Sequence, residues 1–194
     1  ADGALFSEVS YDMLGDKSKD KRVKKINKKI SKTGFEVDKK NSGRDVLTLY
    51  NPKTNEVHIA HRGTDPTRWK DLRADVAIAT GKTKHNKEFK KRHKKTEQAL
   101  DAYPSAKATG SGHSYGAASI YTTVLASDKA QERFHTVHTY NAGATIFDKK
   151  EEQRVRSDPD KKKKVNKIVN HHRVNNDVIS ASMTVNKPLG KMNT

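Results

Sequence analysis

The chain has 194 residues, 32% hydrophobic and 32% charged, with 40 Lys plus Arg against 23 Asp plus Glu and no cysteine. That length fits one domain able to bury about 70% of its unfolded surface without staples, and the missing cysteines exclude disulfides and thiolate metal sites. A formal charge of +17 attracts nucleic acid, an anionic membrane or another acidic surface and opposes self-association, with a plain solubility coat as the bland alternative.

Residues 4–13 place Leu5, Val9 and Met13 at helical spacing, and residues 17–30 add Val23, Ile26 and Ile30 among lysines; both segments predict amphipathic helices. Gly34 ends the second. Residues 43–50, a turn over 51–56 and residues 57–63 predict a β-hairpin. Residues 67–79 read as loop with a little helix or strand. The basic stretch from Gly81 runs into a helix through Leu100, which Pro104 stops. Ala106 to Ser111 predicts a short strand, Tyr115 to Ala126 a helix of small residues, and Phe134 to Tyr140 a further strand. A charged region from Asp148 to Lys164 follows, with Lys161–Lys164 expected as a solvated loop, then a strand from Val165 to Val174 and a short tail.

Strands alternating with helices predict an α/β domain, a central mostly parallel sheet with helices on both faces. One domain is expected over 1–194, with basic N-terminal helices in 1–33 and the sheet core in 46–180. No apolar run approaches the roughly 20 residues of a membrane span, and no signal peptide opens the chain, so a soluble protein is expected. Ala1 at the start fits either removal of a Met or excision from a precursor.

The chemistry concentrates in Gly112-His113-Ser114-Tyr115-Gly116. This G-x-S-x-G pattern falls between a short strand and a helix of small residues, the setting in which it forms a nucleophile elbow. The glycines suit such a turn because strand and helix approach too closely for Cβ atoms. The helix N-terminus beyond Ser114 brings partial positive charge, and the Tyr115 N–H would point at a developing oxyanion.

With three further motifs in order, the chain resembles the class 3 (fungal-type) lipases of the α/β-hydrolase superfamily. The family's GHSLGGA is matched by GHSYGAA, its FRGT or FRGS by His61-Arg62-Gly63-Thr64, and its following tryptophan and acidic stretch by Arg68-Trp69-Lys70-Asp71-Leu72. Its N-D-P-V is matched by Asn176-Asp177-Val178-Ile179. The resemblance covers residues 46–180, with thin identity between motifs. It implies an α/β-hydrolase fold and a serine ester hydrolase acting on lipid or another acyl ester, with no cofactor. Ser114 would be the nucleophile, Thr64 and Tyr115 the oxyanion hole, and Asp177 the acid that orients an imidazole. Arg62 and Asp75 would be structural, and His113 a packing or hydrogen-bonding residue.

In this fold the catalytic histidine follows the acid in the chain, yet none of the residues 178–194 is histidine. Serine's hydroxyl is a poor nucleophile without a base in reach. Three explanations stand: the histidine lies on a missing part or another chain; His171 or His172, with His138 nearby, substitutes for it; or the domain is a catalytically inactive lipase-fold module. The last reading makes it a structural or binding protein, for instance a virion or other assembly component, whose basic surface meets nucleic acid or an acidic partner. Lysine's predominance over arginine favours diffuse phosphate or headgroup attraction over base readout. Neither His171-His172 with Asp177 nor His85 with His93 has a metal spacing, and Gly110-Ser111-Gly112 lacks the features of a phosphate loop.

Overall fold

The computed structural model describes residues 5–6, 21–63, 83–140, 149–172 and 188–193. Within them the chain runs α1 (Lys21–Lys32), β1 (Glu36–Val37), β2 (Val46–Asn51), β3 (Glu56–His61), α2 (Thr83–Ala102), β4 (Lys107–His113), α3 (Tyr115–Ala126), α4 (Asp128–Arg133), β5 (Phe134–Tyr140), α5 (Lys149–Ser157), α6 (Pro159–Ile168), β6 (Val169–His172) and β7 (Lys191–Asn193). The strands form one sheet in sequential order, β1 to β7. The β1/β2 and β2/β3 pairs are antiparallel; the remaining pairs, from β3/β4 to β6/β7, are parallel. The alternation of elements predicts this mostly parallel sheet with helices, and the resemblance implies its α/β-hydrolase-like form.

The β2–β3 hairpin forms where expected because Asn51 seeds its turn, its Oδ1 accepting the N–H groups of Lys53 at 3.0 Å and Thr54 at 3.3 Å. Period-2 alternation along the strands splits the sheet into two faces. Val57, Ile59, Ala108, Val137 and Val169 point to one face and pack with Ala99, Leu100, Ile120, Val124 and Leu125 of α2 and α3. Leu47, Leu49 and Ala60 point to the other and bury Ile26 and Ile30 of α1 with Phe6 and Phe35. Gly34, at φ 81°, turns the chain out of α1 in the left-handed conformation that glycine tolerates.

Three elements differ from the sequence expectation. Lys161–Lys164 is helical, within α6: Asp158 caps the helix by accepting from Asp160 and Lys161, Pro159 occupies its first turn, and Val165 and Ile168 are its buried face. Capping and two apolar anchors at i, i+3 outweigh mutual repulsion among four lysines, which Lys161–Asp128 at 2.7 Å and Lys164–Glu132 at 3.7 Å partly relieve. The strand expected from Val165 therefore starts at Val169. Residues 191–193, expected as tail, add β7 at the sheet edge. The helix expected over 4–13 and the loop over 67–79 fall mostly or wholly outside the described residues.

Candidate functional site

Ser114 sits at the junction of β4 and α3 with φ 55° and ψ −122°. A non-glycine residue in that conformation stores on the order of 1–3 kcal/mol of strain and persists only where its surroundings enforce it. Two hydrogen bonds do so: the Ser114 N–H donates to the Tyr140 carbonyl at 2.9 Å, and its carbonyl accepts from Ala118 N–H at 3.1 Å. The first ties the turn to the C-terminal end of β5, and the second starts α3.

The flanking glycines are required by space. A Cβ on Gly112 would collide with the backbone of Gly116 and lie 2.7 Å from the Ala117 nitrogen; one on Gly116 would collide with the His61 carbonyl and lie 2.8 Å from the Arg62 carbonyl carbon. The chain leaving β3 therefore crosses directly over the first turn of α3. Thr64, the oxyanion residue implied by the resemblance, lies outside the described residues, as do Asp75, the segment 68–72 and Asp177. Of the expected site residues, Ser114, Tyr115, His171 and His172 are described.

The Ser114 hydroxyl is buried, the residue being 7% exposed, and its Oγ has no hydrogen-bond partner among the described residues. It makes no capping bond to α3 either. The hydroxyl thus sits at a strained turn that begins a helix N-terminus, where partial positive charge gathers.

His171 is elsewhere engaged. It is 1% exposed and lies on the α3 side of the sheet, its ring edge-on to Tyr121 at 5.0 Å. Its Nε2 donates to the Leu189 carbonyl at 2.9 Å, which leaves Nδ1 to accept from the Thr139 hydroxyl at 2.6 Å. Burial, opposed by the Leu189 bond, pushes its pKa down. His172 faces the other side of the sheet, where His138 Nδ1 and His172 Nε2 lie 2.8 Å apart and His172 stacks on Tyr140 at 4.8 Å. Burial lowers the pKa of both, and His172 lowers that of His138 further. The structure thus places the two histidines on opposite faces and brings neither to the Ser114 hydroxyl.

Two residues the sequence reading left without a role beside the elbow hold it together. His61 is fully buried; Thr96 donates its hydroxyl to the Arg92 carbonyl at 2.8 Å, so its oxygen accepts from His61 Nε2 at 2.7 Å. His61 Nδ1 then accepts from the Ser119 hydroxyl at 2.9 Å. One neutral imidazole fastens the end of β3 to both α2 and α3. Burial first, then the nearby Arg92 and His93, hold its pKa well below the usual histidine range. Arg92, 5% exposed, donates to the Arg62 carbonyl, reaches Asp45 at 3.5 Å and lies 4.9 Å over the Tyr115 ring. Its signal in the sequence was only a basic residue inside a basic helix. Among the described residues no group of three His, Cys, Asp or Glu converges as a metal site.

Comparison with solved structures finds fungal lipases. Lipase II from Rhizopus niveus superposes with a TM-score of 0.58 at 13% identity, covering 92% of this chain and 71% of that one. The lipase from Rhizopus microsporus var. chinensis gives 0.59 at 15% identity over 92% and 66%, and the Rhizomucor miehei triacylglyceride lipase gives 0.54 at 12% over 91% and 71%. The chain thus spans about two thirds to seven tenths of the length of these lipases. At such identities the likeness is one of fold. No family model and no curated protein matches the sequence.

Proposed function

We propose that the chain is a lipase-like serine ester hydrolase domain whose nucleophile is Ser114. The observation that carries this reading is the elbow: a strained, buried serine at φ 55°, flanked by two glycines with no room for a Cβ, its hydroxyl unpaired among the described residues. Ser114 Oγ attacks the acyl carbonyl, and the oxyanion that forms is held by the backbone N–H groups of Tyr115 and Thr64. Asp177 stabilises the imidazolium formed when a histidine from outside the described residues takes the serine proton, and that proton then goes to the alcohol that leaves as the acyl-enzyme forms. The substrate class is a lipid or other acyl ester, by likeness of fold to lipases.

A second reading rests on one observation: no described imidazole reaches the Ser114 hydroxyl, His171 and His172 included. Without a base the domain would be a silent lipase-fold binding module. Removing one member of a triad still leaves about 10³–10⁴-fold catalysis over water from the oxyanion hole and binding alone. The hydrolase reading therefore predicts slow covalent labelling by a fluorophosphonate, read by intact mass, that is abolished in Ser114→Ala and unchanged in His171→Ala/His172→Ala. Added imidazole should accelerate labelling by supplying the proton acceptor. A folded protein that stays unlabelled with and without imidazole would establish the binding-module reading instead.

A further inference from the structure

The basic charge of the chain is not spread without order around the elbow. Along α2, Lys87, Lys90, Lys91 and Lys94 recur at i, i+3, i+4 and i+7 and are all exposed, so they share one side of the helix. The opposite side, with Phe89, Arg92, Thr96 and Leu100, is buried. Like charges at three- and four-residue spacing destabilise a helix. Among the described residues none of these lysines is ion-paired.

The same stripe continues across the loop between β1 and β2. Lys95 Nζ donates to the Lys40 carbonyl at 3.1 Å, and Arg92 holds Asp45 at 3.5 Å, so the loop bearing exposed Lys40 and Arg44 is fastened to α2. The Arg62 N–H donates to the Asp45 carbonyl at 2.9 Å, which anchors this loop at the end of β3. Arg92 reaches the Tyr115 ring from the buried side of α2, so the lysine stripe faces outward, away from the sheet. Lys40, Arg44 and the four α2 lysines therefore form a basic rim on the outer side of α2 and the loop fastened to it.

We propose that this rim docks the domain onto anionic lipid surfaces. The choice of a lipid surface rests on the lipase-like reading of Ser114. It also follows from the rim's chemistry: five of its six cations are lysines, hydrated point charges without the planar fork that reads phosphates and bases bidentately, and none of the six is interleaved with an aromatic platform for nucleobases. A row of lysines gains affinity for an anionic leaflet with each added charge near the surface.

The test uses Ser114→Ala protein, so that docking is read without turnover and independently of whether Ser114 is a nucleophile. Co-sedimentation with phosphatidylcholine vesicles, with and without phosphatidylglycerol, is measured for this background and for two charge-matched sets added to it. Lys40→Glu/Lys91→Glu/Lys94→Glu removes the rim. Lys162→Glu/Lys163→Glu/Lys167→Glu makes the same change in net charge on α6, which is tied to α4 by Lys161–Asp128 at the far end of the sheet. Binding is expected only to phosphatidylglycerol-containing vesicles, roughly a hundredfold weaker in the rim set and within a few-fold of the background in the α6 set, with circular dichroism unchanged. Equal losses in both sets would reduce the effect to net charge and overturn the proposal, as would no binding by the background. Tighter, rim-dependent binding to a DNA oligonucleotide than to the vesicles would reassign the surface to nucleic acid.

Discussion

Gly116→Ala is expected to destabilise the domain by about 3 kcal/mol or more and to abolish labelling of Ser114 in the molecules that remain folded. The added methyl would meet backbone, not a side chain that could rotate away: it collides with the His61 carbonyl and lies 2.9 Å from the Arg62 oxygen. Overfilling a packed site costs typically 1–3 kcal/mol even where side chains can adjust, and here the yielding element would be the end of β3. His61 fastens that end to Ser119 and Thr96, and Arg92 fastens Arg62, so relief requires breaking buried hydrogen bonds or pushing α3 away from the sheet. Either movement displaces the chain that runs toward Thr64 and relaxes the Ser114 turn. Gly43→Ala is the internal control, since its Cβ would only make an ordinary contact, 3.7 Å from Lys95 Cε; its effect should stay within about 1 kcal/mol. Urea unfolding of the three proteins, paired with labelling, checks the prediction. Equal stability of Gly116→Ala and Gly43→Ala would show that the elbow does not need the close approach.

How far such features were legible beforehand follows from how local their causes are. The elbow could be read because its requirements lie within five residues: a turn, two glycines and a helix of small side chains. The β2–β3 hairpin and the bounds of α3 were readable for the same reason, each set by periodicity and a turn signal inside its own segment. Lys161–Lys164 was misread because four lysines dominate any count of polarity, whereas the helix depends on one cap, one proline and two apolar residues around them. β7 was missed because Lys191, Met192 and Asn193 are exposed and have no alternation; pairing with β6 alone makes them a strand.

The roles of His61 and Arg92 belong to a different class. A histidine in a strand reads as neutral information until the hydroxyls of Thr96 and Ser119, 35 and 58 residues away, are seen to satisfy both its nitrogens. Arg92 among lysines reads as solvated until Tyr115, Asp45 and the Arg62 carbonyl converge on it. Both owe their burial to partners distant in sequence, and a polar residue buried by its partners has no one-dimensional signature.

The buried histidines of β3 have a consequence in acid. His58 is buried between the hydroxyls of Thr109 and Ser111, both at 2.8 Å, and burial, then the charge of His138, pushes its pKa down to about 3. His61 is shifted in the same direction, well below its ordinary value, with burial first among the causes. Both are neutral in the fold and take up a proton near pH 6.5 when unfolded. The unfolded state therefore binds more protons below that pH. Stability from these groups is fully present above about pH 6.5 and is lost as pH falls toward their folded pKa values. Each histidine contributes a slope of about 1.4 kcal/mol per pH unit in that window, so the pair costs roughly 2.7 kcal/mol per unit, against a typical total of about 5–15 kcal/mol. Cooperative acid unfolding is expected near pH 4.5 to 5, above the range in which the carboxylates of Asp38 and Asp128, both held below their ordinary value, would be protonated. The decisive variant is His61→Phe. Thr96 keeps its bond to the Arg92 carbonyl, and urea unfolding free energies between pH 7.5 and 5 should show a slope shallower by about 1.4 kcal/mol per unit. An unchanged slope would mean that His61 takes up a proton as readily in the fold as in the unfolded chain, and that the imidazole joining β3 to both helices is not the neutral tautomer its partners require.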